Sequence, residues 1–129
     1  MRLLLDTQAF LWFAAGDSRL SHPARESLLD ESNEVYLSVV VPWELVIKHA
    51  RGRMPELTEG PEAYVLSRVV LSGMRMLPID LPHTLKVSHL PPIHRDPFDR
   101  MLVAQAQVER LSIVTSDANI SRYDVETIW

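Results

Sequence analysis

Four acidic residues, Asp6, Glu44, Asp99 and Asp117, are far apart in the chain, and each stands where a strand ends or in the opening turns of a helix. Gathered at one place they would form a set of hard oxygen donors, the class that selects Mg²⁺ or Mn²⁺. With such an ion the chemistry is activation of a water and neutralisation of charge on a phosphoryl group, which is phosphodiester hydrolysis. Cysteine is absent, so thiolate zinc sites, disulfides and cysteine nucleophiles are excluded. His83, His89 and His94 are spaced at six and five residues, which does not bring them onto one helix face. They are expected in surface or loop roles rather than as metal ligands.

Each acid also has a plainer explanation. Asp6 suits a helix N-cap. Glu44 and Lys48 stand at i and i+4 in the favourable order, a pair worth about 0.2–0.5 kcal/mol on an exposed face. Asp96, with Pro97 behind it and Asp99 three residues on, reads as an N-cap followed by a first-turn acid. Asp117 suits a turn with Ser116 or the start of a short helix at Ala118. Asp99 stands apart, because it heads the apolar stripe of Leu102, Val103 and Ala106 and so points toward a sheet. A carboxylate placed there needs a cation, several donors or a metal ion. Thr7, Thr115 and Ser116 adjoin the acids and can donate to carboxylate or phosphate. Lys48, Arg51, Arg53, Arg95 and Arg100 border the same segments and are candidates for tracking a nucleic-acid backbone, or are ordinary surface cations.

The elements that must position these residues alternate along the chain. Leu3-Leu4-Leu5 is an unbroken apolar run, the pattern of a strand buried on both faces, and 8–15 follows as a helix ended by Gly16-Asp17. A helix is expected from Ser21, with Ala24, Leu28 and Leu29 inward, then a strand at 35–37 and a helix from Pro42 through Lys48. Residues 52–61 hold two prolines and two glycines and read as the most mobile connection. Further on come a helix at 62–71, a strand at 74–77, a helix at 81–90, a helix from Pro97 to about Arg110, and strands at 112–115 and 125–128. This alternation predicts a parallel sheet covered by helices on both faces. In such sheets ligands bind beyond the carboxyl ends of the strands, which is where Asp6 and Asp117 fall.

The 129 residues predict one domain, 1–129, and 47% apolar against 23% charged residues is the balance of a folding chain rather than a disordered one. No apolar run is long enough to span a bilayer, and Asp6 interrupts the opening leucines too early for a signal peptide, so a cytoplasmic location without membrane association is expected. A net charge of −4 argues against holding nucleic acid by bulk electrostatics alone. If four acids enclose a metal ion, the remaining surface is balanced.

Leu4-Leu5-Asp6-Thr7, Trp43-Glu44-Leu45, the run from Asp96 through Asp99 to Ala106, and Val114-Thr115-Ser116-Asp117 together resemble the PIN domain, and within it the VapC-type toxins. The resemblance runs over essentially the whole chain. It implies a three-layer α/β/α sandwich with a central parallel sheet, and Mg²⁺- or Mn²⁺-dependent endoribonuclease activity toward an RNA substrate. By the same resemblance Asp6 and Asp99 are direct metal ligands, Glu44 and Asp117 support the metal or its waters, and Asp96 belongs to a subgroup of the family. A cognate antitoxin protein and a homodimer are implied partners. The alternative is a PIN scaffold that binds RNA or a protein and cleaves nothing. Other Mg²⁺-dependent phosphoryl-transfer folds, such as haloacid-dehalogenase-type phosphatases and receiver domains, want paired acids after the first strand; two residues after Asp6 stands Gln8.

Overall fold

A computed structural model describes all 129 residues. Five strands, β1 (Arg2–Leu5), β2 (Glu34–Ser38), β3 (Arg75–Leu77), β4 (Ser112–Val114) and β5 (Thr127–Ile128), form one sheet in the order β3-β2-β1-β4-β5. Every pairing is parallel. The six α-helices are α1 (Thr7–Ala15), α2 (His22–Leu29), α3 (Val40–Ala50), α4 (Pro61–Ser72), α5 (Leu81–Val87) and α6 (Pro97–Glu109).

The leucine run at the start explains the layering. Leu3, Leu4 and Leu5 are all fully buried, yet Leu3 and Leu5 pack in one apolar cluster and Leu4 in the other, as alternation along a strand requires. The first cluster is completed by Phe10 of α1, Leu28 of α2, Leu45 of α3 and Tyr64 of α4. The second takes Leu102, Val103 and Ala106 of α6 with Leu90 and Ile120. Burying each of these leucine, valine, isoleucine and phenylalanine side chains stabilises the fold by about 1.5–3 kcal/mol. The expected α/β/α sandwich with a parallel sheet is therefore what forms.

The chain runs outward from β1 through β2 to β3, then returns to the other side of β1 for β4 and β5. The order reverses between β1 and β4, so a crevice opens beyond their carboxyl ends. Asp6 extends the ladder by donating its backbone N–H to the Val114 carbonyl.

Several local expectations are corrected. Leu29 closes α2 on the outside and is exposed rather than inward. Helix α3 begins at Val40, two residues before Pro42, because Val40 and Val41 are buried against the sheet. Helix α5 ends at Val87, short of the prolines that were expected to stop it. Within 52–61, Met54 and Leu57 are buried in the first cluster, so the segment touches the core at two points. His83 is not a surface residue: it is fully buried in the first turn of α5. No helix is long and apolar enough to cross a membrane.

Candidate active site

A cavity of about 570 Å³ lies at the switch point and is lined by Asp6, Glu44, Glu56, Asp96, Asp99 and Asp117, against two cations, Lys48 and Arg53. Asp6 leaves β1 and caps α1, its Oδ1 accepting from the Ala9 N–H at 2.7 Å. The cap explanation therefore holds, and it accounts for only half of the carboxylate. Oδ2 accepts from the Thr115 hydroxyl at 2.5 Å, across 109 residues of sequence. That threonine oxygen in turn accepts the Asp117 N–H at 3.0 Å, so the turn after β4 is tied to the turn after β1.

Glu44 is almost wholly buried on α3. The Thr7 hydroxyl donates to its Oε1 at 2.6 Å, and Lys48 is hydrogen-bonded to Oε2. Both explanations of Glu44 are thus true together: it pairs with Lys48, and it does so inside the cavity. Asp99 sits in the first turn of α6, with His94 Nε2 at 3.2 Å from its Oδ2. Asp96 caps α6 by accepting the Asp99 N–H at 2.9 Å, and it reaches the cavity rim. Asp117 holds its own turn, Oδ1 accepting the Asn119 N–H at 2.8 Å.

Two of these carboxyls are strongly perturbed. Burial, with Asp117 and Glu44 adding like charge, pushes Asp6 up to about 6, although Thr115 and the Ala9 N–H oppose the shift. Burial likewise pushes Asp99 up to about 6, with Asp96, Asp117 and Asp6 adding to it and the His94 hydrogen bond opposing. Asp6 and Asp99 are raised by acidic neighbours as well as by burial, because the group is crowded with negative charge and short of cations.

The donor set is entirely hard oxygen, and its excess negative charge is what a divalent cation would offset. In residue type and charge the cavity therefore fits Mg²⁺ or Mn²⁺. As the side chains stand, no three of them converge closely enough to share one ion. Their rotamers are set by protein partners, Thr115 for Asp6, Thr7 and Lys48 for Glu44, and His94 for Asp99.

The structure divides the expected cations. Lys48 and Arg53 line the cavity. Arg51 and Arg95 are exposed outside it. Arg100 is turned away, donating to the Pro91 carbonyl at 2.9 Å and the Tyr123 hydroxyl at 3.0 Å, so it staples the loop before α6 and does not face the cavity. Thr7 and Ser116 are in the lining, and Thr115 lies buried just behind it. Sequence reasoning missed Glu56 and Gln8, and it left His94 in a loop without a partner. Glu56 follows Met54 and precedes Leu57, the two anchors of 52–61, and that apolar pair was the available signal.

A doubly wound parallel sheet with acids crowding its switch point defines a class of α/β domain that gathers carboxylates at one crevice. This chain belongs to the PIN domain family, whose model matches residues 3–126. Among solved structures, its fold is similar to VapBC2 from Rickettsia felis bound to a DNA fragment from their promoter, with a TM-score of 0.72, 16% identity and all of both chains covered. It is also similar to FitAB bound to the IR36 DNA fragment, at TM-score 0.65 and 19% identity over 97% of this chain and 92% of that one. VapBC-1 from nontypeable Haemophilus influenzae matches at TM-score 0.63 and 16% identity, over 98% and 96% of the two chains. At these identities the likeness is one of fold. Among curated proteins, no sequence matches significantly.

Proposed function

We propose that this chain is a divalent-metal-dependent endoribonuclease and the toxin half of a toxin–antitoxin pair, acting as one domain over residues 1–129 in the cytoplasm. The observation that carries the reading is the convergence of six carboxylates and two cations on one cavity at the β1/β4 switch point. Membership of the PIN family supports nuclease chemistry. The fold likeness to VapBC and FitAB toxins supports an antitoxin partner. Trp43, Val46, Leu66 and Val70 leave apolar surface exposed on α3 and α4, which suits a protein that is covered by an antitoxin or a second copy of itself.

In this reading Asp6 and Asp99 hold the ion, and Glu44 and Asp117 hold its waters. Bound Mg²⁺ or Mn²⁺ supplies charge neutralisation at the scissile phosphate and a more acidic water. Thr115 keeps Asp6 aimed across the crevice from β4. Thr7 and Lys48 hold Glu44 in place through hydrogen bonds to its two carboxylate oxygens. Lys48 and Arg53, the cavity's two cations, are placed to face phosphate oxygens of the RNA strand.

The test is cleavage of RNA by purified protein with Mg²⁺ or Mn²⁺, with chelator, and with Asp6→Asn. Asparagine preserves the N-cap, so the fold is expected to survive by circular dichroism. Cleavage that persists in chelator, or at the wild-type rate in Asp6→Asn, would overturn the reading and identify a contaminating nuclease.

A further inference from the structure

Asp99 is the one acid in the cavity held by an imidazole, and that imidazole belongs to a chain of buried or half-buried hydrogen bonds. His94 Nε2 is 3.2 Å from Asp99 Oδ2, and His94 Nδ1 is 2.7 Å from the Tyr123 hydroxyl. The same hydroxyl accepts from Arg100 Nη1 at 3.0 Å. The Tyr123 ring also packs at 5.5 Å from the His94 ring, and the tyrosine is almost wholly buried.

The proton positions follow from the donor inventory. A guanidinium only donates, so toward Arg100 the Tyr123 oxygen is an acceptor. The tyrosine's own hydrogen then needs an acceptor, because a buried hydroxyl is seldom left without one. Of the two groups bonded to that oxygen, only His94 Nδ1 can accept. Nδ1 therefore carries no proton in the neutral ring, and the proton resides on Nε2, aimed at Asp99.

We propose that Arg100, Tyr123 and His94 form a positioning relay that fixes His94 as the Nε2–H tautomer and, through it, sets the rotamer of Asp99 for divalent-cation binding. The proposal rests on the reading of Asp99 as a metal-holding carboxylate and adds the residues that orient it. Arg100 is anchored at its other contacts by the carbonyl of Pro91, so the relay is referred to the backbone of the loop that precedes α6. His94 and Tyr123 touch neither phosphate nor ion in this scheme; they act through Asp99. Partners of this kind, one step behind a metal ligand, are worth about 10–100-fold in metal affinity or activity.

The experiment has two readouts. Imidazole ¹⁵N NMR of the metal-free wild type, at a pH where the His94 ring is neutral, should show its proton on Nε2, with Nδ1 unprotonated; a neutral ring protonated on Nδ1 would overturn the relay. Calorimetric titration with Mn²⁺ should show about 10–100-fold weaker binding in His94→Ala. His94→Gln, whose amide can donate to Asp99 in place of Nε2–H, should recover most of that loss. Tyr123→Phe keeps the ring packing and removes only the hydroxyl, so it covers the case in which His94→Ala misfolds. It should allow the Nδ1–H tautomer to appear and weaken Mn²⁺ binding by less than His94→Ala. Unchanged Mn²⁺ affinity in both His94→Ala and Tyr123→Phe would overturn the proposal while leaving the nuclease reading intact. Mn²⁺ binding with the expected mutant pattern but no RNA cleavage would overturn the nuclease reading and sustain the relay.

Discussion

Helix α6 carries a histidine–carboxylate pair at each end. At its C-terminal end His83 Nε2 lies 2.8 Å from Glu109, and His83 Nδ1 accepts the Asp80 N–H at 3.0 Å. At its N-terminal end His94 meets Asp99. The pairs are alike in chemistry and differ in surroundings. Glu109 stands where the helix dipole disfavours an acid, and a cation answers it: Arg2 donates to the Glu109 backbone carbonyl at 2.6 Å. Asp99 stands where the dipole favours an acid, and its neighbours are Asp96, Asp117 and Asp6. One pair has a guanidinium at its helix end and closes a seam between α5 and α6; the other is left short of positive charge beside an open cavity. The charge environment, not the pair itself, separates a joint in the fold from a site with chemistry to do.

The largest expected effect is at the open end. Asp99→Asn should lower RNA cleavage by more than about 100-fold, beyond what a partner one step behind the metal contributes. The α6 cap should survive, since it depends on Asp96 and the backbone N–H of residue 99. A rate within tenfold of wild type, with the fold intact, would erase the distinction between the two ends.

The pH dependence of stability without metal sharpens the contrast further. Folded Asp6 and Asp99 keep their protons to about pH 6, whereas the unfolded chain releases them near 3.8, the ordinary value for aspartate. Between those values the folded state binds more protons, so stability falls as pH rises from about 4 to about 6 and stays lowered above that. Asp6 alone accounts for roughly 3 kcal/mol of this loss. Urea denaturation in chelator at pH 4 and pH 7, wild type against Asp6→Asn, isolates the contribution. The wild type should lose more stability than the variant over that interval, and saturating Mg²⁺ should restore it. A wild type that gains stability over the interval relative to Asp6→Asn would contradict the assignment.

At the closed end the expected change is in folding alone. His83→Leu keeps volume but removes both hydrogen bonds, stranding the Asp80 N–H, at a cost of about 2 kcal/mol. Cleavage per folded molecule should stay within a factor of two of wild type. If it fell as far as in Asp99→Asn, the two ends would be coupled through α6 rather than independent.

The unequal legibility of the two ends in sequence has a physical basis. Asp99 could be read because it heads an apolar stripe, and Asp6 because it ends a leucine strand; burial pattern predicts direction. Sequence alone puts His83 at the surface, because burial of an imidazole depends on partners, here Asp80 and Glu109, and Glu109 is close only after α5 docks on α6. Sequence proximity to Asp99 puts Arg100 beside the cavity, but one position along a helix turns a side chain by about 100°, here toward Tyr123. The sheet order was equally hidden. Alternating elements imply parallel strands, yet the return of β4 to the free side of β1 is set by long-range packing.

Asp96 carries the smallest expected effect and tests the boundary between cap and cavity. It caps α6 and also reaches the cavity rim, where it raises Asp99 through like charge. Asp96→Ser retains a side-chain acceptor for the Asp99 N–H, so the helix should lose no more than about 0.5 kcal/mol. Removing the charge should lower the Asp99 pKa and narrow the pH interval over which metal-free stability declines. If Asp96 serves only as cap and neighbour, cleavage should change by less than tenfold; a loss as large as in Asp99→Asn would make it a metal-holding carboxylate in its own right.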